Sequence, residues 1–244
     1  MFRDKCTIVL PVLKVDDFAV DCIEHLLSVC DLDVLVICEE EPATPLNKNK
    51  RLTFFLNEVE EKQSLVKLWN TCIKKCPSEY VIIPSWRCRP TEDDFALIEE
   101  KINEGYGMVD LAALHFFCIG KHLTTVLGFF DEGFKYGQYE DTDWYNRFYM
   151  NDIAMYCSNS MEQVPRVSTW LYKASENEKY YHSKWTEDDL GKTLTQHNEE
   201  ENISDRSLYS DLPEREYLKF EKSMLVNRNL ENYYTIFSIK KQTY

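Results

Sequence analysis

The chain has 244 residues, enough for one large domain or for a domain with an appendage. Its 28 Lys and Arg against 42 Asp and Glu leave a formal net charge of −14, which speaks against a general nucleic-acid binder, because phosphate backbones demand dense cationic surface. No apolar run reaches the roughly 18 residues of a membrane span, and the short apolar stretch ending at Leu13 is too strand-like for a signal peptide, which points to a cytoplasmic protein (a host's cytoplasm if the source is viral).

Cys6 to Leu13 reads as a buried strand of continuous apolar and β-branched residues, closing near Pro11, which cannot donate to a ladder. Asp17 to Val29 follows as a helix with Phe18, Cys22, Ile23 and Leu26 at helical spacing. Leu32 to Cys38 is a second buried strand, running into Glu39-Glu40-Glu41, and Leu52 to Leu56 a third. Leu65, Leu68, Trp69, Cys72, Ile73 and Cys76 trace an amphipathic helix. Tyr80 to Ile83 is a fourth strand, closed by Pro84, and Thr91 with Asp94 forms a capping-box pattern opening another helix.

The second half is less regular. Val109 to Ile119 reads as one returning strand, Leu127 to Gly137 as a glycine-punctuated loop, and Asp141 to Met150 as a short helix. Glu176 to Asp211 is polar and acidic, Glu214 to Asn229 has helical character, and Tyr233 to Phe237 is an aromatic tail. Strand–helix alternation in the first hundred residues predicts a mostly parallel sheet wrapped by helices, with ligands at the carboxyl ends of its strands. Those ends are Pro11-Lys14, Glu39-Glu41 and Pro84-Arg89. Neither a dinucleotide fingerprint nor a P-loop is present, which counts against an oxidoreductase or a P-loop kinase. Nine cysteines, with no C-x-x-C pair, read as buried reduced thiols; Cys72 and Cys76 share a helix face but lack partners for zinc.

The segment Leu127-Gly128-Phe129-Phe130-Asp131-Glu132-Gly133-Phe134, then Glu140-Asp141-Thr142-Asp143 and Arg147, resembles the GT-A glycosyltransferases of the family 2 type. Asn70 before the Ser78–Ile83 stretch, the first strand ending in Pro-Val, and Tyr181-His182-Ser183-Lys184-Trp185 are similar to further, individually weak family segments. The resemblance spans roughly residues 6 to 190. It implies an α/β GT-A domain over 1–190, with a Rossmann-like, mostly parallel central sheet flanked by helices, and a C-terminal helical extension over 191–244. It implies transfer of a sugar, UDP-linked by family frequency, from a nucleotide diphosphate to a glycan or glycoconjugate hydroxyl, with inversion. Asp141 would be the base and Glu140 would hold the acceptor or donor sugar. An acidic first turn also stabilises a helix by capping and dipole interaction, and Arg147 can pair with Asp143 at i, i+4.

The family's Asp-x-Asp after the fourth strand, which holds a divalent cation, is missing. Counted back from Pro90, Ser85 and Arg87 stand in place of its carboxylates. Three readings stay open: Arg87 or Arg89 replaces the metal as counter-charge for the diphosphate, the site has decayed into a binding module for a glycan or protein partner, or both arginines sit on a solvated loop. No cofactor is assigned, and Mn2+ or Mg2+ stays open. By the resemblance, Pro11, Val12 and Leu13 wall the nucleotide base and Glu39 contacts the nucleoside, unless it belongs to a solvated charge run. Asn70 faces the donor or is an ordinary exposed helix residue. Trp69 stands where the family often has Arg, with Lys67 as a substitute. Trp86 stacks on a ring or packs. Lys184 and Trp185 line the acceptor side or, for Trp185, the core, and His182 approaches the diphosphate or lies on the surface.

Overall fold

The computed structural model describes residues 2–40, 49–57, 64–134, 139–151, 153–158, 161 and 174–184. In chain order these form α1 (Phe2–Lys5), β1 (Cys6–Val12), α2 (Asp17–Val29), β2 (Asp33–Cys38), β3 (Leu52–Leu56), α3 (Leu65–Lys75), β4 (Tyr80–Pro84), α4 (Glu92–Asn103), β5 (Met108–Asp110), β6 (Phe116–Gly120), α5 (Leu123–Leu127), α6 (Glu140–Met150), β7 (Met155–Cys157) and α7 (Ala174–Lys184). Seven strands make one sheet in the order β3-β2-β1-β4-β6-β5-β7. β1 runs parallel to β2 and β4, and β2 parallel to β3; β6 is antiparallel to both β4 and β5, and β7 parallel to β5. The expected mostly parallel sheet flanked by helices is present. The expected extension over 191–244 lies outside the described residues.

Local chemistry sets the helix starts. Asp16 accepts from the Ala19 amide at α2, Ser64 from the Lys67 amide at α3, and Thr91 with Asp94 closes the predicted capping box at α4. Apolar faces then fix the layers. Ala19, Cys22, Ile23 and Leu26 of α2, with Phe95 and Ile98 of α4, cover one side of the sheet. Val66, Trp69, Cys72 and Ile73 of α3, with Trp144, Tyr145 and Phe148 of α6, cover the other. β1 is buried at every position, as its unbroken apolar run requires. Pro11 is tolerated because the ladder to β4 covers only Cys6–Ile8, leaving β2 as the single pairing partner there.

One expected element divides. The stretch read as a single strand from Val109 to Ile119 is a hairpin, β5 and β6, folded back at residues 111–115. Buried Asp110 makes the turn: it accepts from the amides of Ala112 (3.0 Å) and Leu114 (3.0 Å), and holds Ala113 and Leu114 at positive φ (48° and 59°). α5 lies between the expected strand and the glycine-punctuated loop, in a stretch to which the sequence assigned no element. The nine cysteines are free thiols, eight of them buried, as expected of a reduced core. Burial pushes the Cys22 and Cys88 thiols up to about 12.

Strand order reverses between β1 and β4, the point where an α/β sheet of this kind places a ligand crevice, beyond the strands' carboxyl ends. Since β6 is antiparallel to β4, its start lies at that same end: Pro84 is opposite Phe116, and the Ser85 amide donates to the carbonyl of His115 (2.5 Å). α6 opens with the acidic run Glu140-Asp141-Thr142-Asp143.

Candidate active site

The three carboxylates of that run meet three different environments. Asp143 is fully buried, bonded by Arg147 Nε (3.0 Å) and by Lys184 Nζ (2.8 Å). Burial would raise its pKa, but the two cations outweigh burial and hold it at about 2. Glu140 is also buried, with Oε2 lacking a hydrogen-bond partner among the described residues. Burial, and then the charges of Asp141 and Asp143, push its carboxyl up to about 8. Asp141 is half-buried, and its Oδ1 accepts from the Thr142 amide (2.6 Å) and hydroxyl (3.2 Å). Tyr139, immediately ahead, takes positive φ (68°), which swings the chain into the helix.

Most of the surrounding motif is a clamp. Arg147 bonds Asp143 and sends Nη1 to the carbonyls of Leu127 (3.0 Å) and Phe129 (2.6 Å). Lys184 joins Asp143 to Asp131 (2.5 Å), whose other oxygen accepts from the Gly133 amide (2.8 Å). Tyr180 also donates to Asp131 (2.9 Å). Two buried acids thus face two buried cations, and the network ties the Gly128–Gly133 loop to both α6 and α7. Gly128 has φ 81° as the cap of α5, and a side chain on Gly133 would strike Tyr180. From the other side, Asn70 clasps the same loop: its amide donates to the Phe130 carbonyl (2.8 Å) and Glu132 (2.9 Å) and accepts from the Phe130 amide (2.9 Å).

Several sequence-predicted positions have partners within the fold. Asn70 is 1 % exposed, so it is not an exposed helix residue, and its amide bonds the loop. Lys184 is fully buried between the carboxylates of Asp131 and Asp143. Arg89 turns away from the crevice: it bonds Asp21 of α2 (2.5 Å) and the carbonyls of Trp86 and Cys88 (2.9 Å each), and lies over the Phe18 ring. Trp86 packs edge-on against Phe18 at 4.7 Å. Trp69 is a core residue against Phe117 and Phe130, and Lys67 is exposed on α3. Trp185 and the side chain of His182 lie outside the described residues.

Other expected positions gather at the crevice. Pro11 and Val12 end β1 buried, and Leu13 accepts from the Glu39 amide (3.2 Å). Glu39 Oε1 is buried with no hydrogen-bond partner among the described residues. Ser85 Oγ accepts from the Arg87 amide (3.4 Å) in the turn after β4. Three residues not singled out in the sequence complete the end. His115 is exposed and within electrostatic reach of both Arg87 and Asp141; desolvation and the Arg87 charge lower its pKa, while Asp141 acts the other way. Asp110 is pushed up to about 6 by burial, against the bonds it receives from Tyr145, Ala112 and Leu114. Tyr145 of α6 donates to Asp110, linking the His115 turn to the acidic helix.

No protein-family model and no curated protein sequence matches this chain. Solved structures do match. A mannosyltransferase from Pyrobaculum calidifontis, solved with GDP-Man and Mn2+, superposes with a TM-score of 0.55 at 12% identity, covering 99% of this chain and 85% of its own. The chain has the GT-A fold. TarS from S. aureus aligns at TM-score 0.51 and 12% identity, over 91% of this chain and 80% of its own. GalNAc-T7, solved with UDP, GalNAc and Mn2+, aligns at 0.53 and 10%, over 82% of this chain and 55% of its own.

In this GT-A fold the position after β4 does not fit a divalent cation. Ser85 offers one neutral oxygen already accepting an amide, and Arg87 is itself cationic. Among the described residues no three His, Cys, Asp or Glu side chains gather as a metal-holding group, and no helix is long and apolar enough to cross a membrane.

Proposed function

We propose that the chain is a glycosyltransferase that moves a sugar from a nucleotide diphosphate sugar, UDP-linked, to a hydroxyl of a glycan or glycoconjugate, with inversion. The observation that carries this reading is the separation of fates within the acidic turn. Asp143 is locked in the clamp and Glu140 is buried, while Asp141 is half-buried and within electrostatic reach of His115, whose turn is bonded to the one carrying Arg87.

Asp141 takes the proton of the acceptor hydroxyl on Oδ2, since Oδ1 is engaged by Thr142. The acceptor oxygen then bonds the anomeric carbon as the bond to the diphosphate breaks, and the electron pair leaves with the phosphate oxygen. Arg87 supplies the counter-charge that this departure needs; a guanidinium matches phosphate oxygens two at a time. The orphaned oxygen of Glu39 suits a nucleoside hydroxyl or N–H donor, beside the wall of Pro11, Val12 and Leu13. Glu140, pushed up to about 8, keeps its proton at neutral pH and offers a hydrogen bond to the acceptor or donor sugar.

A second reading, a binding module of the same fold, is favoured by the Ser85 and Arg87 replacements. Thermal shift with UDP-, GDP- and dTDP-sugars, each with and without EDTA, tests the proposal. Stabilisation that is unchanged in EDTA and lost in Arg87→Ala is the expected result. Strict dependence on Mn2+ or Mg2+ would overturn the role of Arg87, and no stabilisation by any donor would overturn the nucleotide-sugar reading.

A further inference from the structure

The crevice needs more positive charge than one guanidinium. A nucleotide diphosphate sugar carries two phosphate charges, and its departure adds another to the leaving oxygen. Arg89 does not help, being held by Asp21 and the carbonyls of its own turn. His115 stands in the right place. The β4–β6 register sets it directly across from Ser85, whose amide it accepts, and the Cys88 thiol donates to the same carbonyl (3.1 Å). The turn carrying His115 is rigid, because buried Asp110 grips Ala112 and Leu114 and receives Tyr145 from α6. Its side chain is exposed at the crevice end of the sheet, in the field of Arg87 and Asp141.

Resting on the glycosyltransferase reading, we infer that His115 is a second diphosphate-contacting residue, which takes up a proton as the donor binds and joins Arg87 as counter-charge. Among the described residues, the charges that act on the imidazole are those of Arg87, from the turn after β4, and Asp141, from the first turn of α6. Asp110, on its own turn, is directed inward to Tyr145 and the turn amides. Without donor, partial desolvation and Arg87 favour the neutral ring. A bound diphosphate reverses that preference, since an adjacent anion stabilises the imidazolium. Binding and proton uptake are therefore linked, and donor affinity falls as pH rises through the imidazole's range.

The test is the affinity of UDP-glucose and GDP-mannose, by calorimetry between pH 5.5 and 8, for wild type and for His115→Gln. Both probes carry phosphodiesters that do not titrate in this interval. Glu140 and Asp110 also titrate there, so the comparison is between the two proteins at each pH. A shift of one pKa unit on binding corresponds to about tenfold in affinity. The wild type is expected to bind about tenfold more tightly at pH 5.5 than His115→Gln, and the two are expected to converge by pH 8. Equal affinities across the range, with donor bound, would overturn the role of His115 and leave the transferase reading intact. No binding by wild type at any pH would overturn that reading and the inference together. Should His115→Gln melt well below wild type, NMR of the wild-type imidazole decides: an upward titration shift with UDP-glucose supports the inference, and none overturns it.

Discussion

Glu140, Asp141 and Asp143 show how little residue type alone decides. All three are acids in one helical turn, yet one pKa is held at about 2 by cations and another pushed up to about 8 by burial. Glu140 gives a signed prediction. Its folded value lies above the ordinary 4.5, so the folded state binds the proton more tightly than the unfolded chain does. The stability that this contributes is complete below pH 4.5 and is lost as pH rises through about 8. Glu140→Gln cannot ionise, so its melting temperature relative to wild type should climb between pH 5 and pH 8.5. At this chain length each kcal/mol moves Tm by about 2–4 °C. A constant difference across pH would show that Glu140 is not a proton-holding carboxyl. The acidic turn was legible in the sequence, but the division among its members was not, because it depends on Lys184, Arg147 and the depth of each side chain. Asn70 was more legible than it first seems: it lies four residues after Val66 and three before Ile73, on the apolar face of α3, where a polar group must find a partner.

At the level of elements, α6 is positioned by what it bonds. Arg147, Asp143, Lys184 and Asp131 close a buried network over α6, α7 and the 127–133 loop, and Phe130 stacks on Trp144 at 4.3 Å. Arg147→Met should strand Asp143 beside a single cation and cost roughly 3–5 kcal/mol, as breaking a buried ion pair does. Asn70→Ala leaves the Phe130 amide and carbonyl and Glu132 without that partner and should cost about 1–3 kcal/mol. Chemical denaturation measures both; a cost below about 0.5 kcal/mol for either, the range of ordinary surface substitutions, would show that the clamp does not hold the loop. The strands and helices of the first hundred residues were readable because apolar period and caps are local signals. The hairpin at Asp110 was not, since an apolar run from Val109 to Ile119 hides a turn built by one buried carboxylate. His115 was missed for a related reason: its place opposite Ser85 is set by antiparallel pairing of β6 with β4, which no local spacing records.

For the whole molecule, the sheet's strand-order reversal and the antiparallel β6 bring Glu39, Ser85, Arg87, His115 and the start of α6 to one end. The overall charge of −14 makes the Arg87 guanidinium at that end more consequential for an anionic ligand. GT-A architecture was within reach of the sequence through the Gly-Phe-Phe-Asp-Glu turn and the acidic run, whereas the bonding of Arg89 to Asp21 and to its own turn required the turn's three-dimensional course. The central claim is that Asp141 is the base of a nucleotide-sugar reaction at this end of the sheet. Donor turnover by wild type and by Asp141→Asn, assayed as slow hydrolysis of UDP-sugars, tests it most directly. The expected result is hydrolysis by wild type, a loss of about 10²–10⁴-fold in Asp141→Asn as for removal of a general base, and retained donor binding in both. Donor binding with no turnover in wild type, or turnover unchanged in Asp141→Asn, would contradict it.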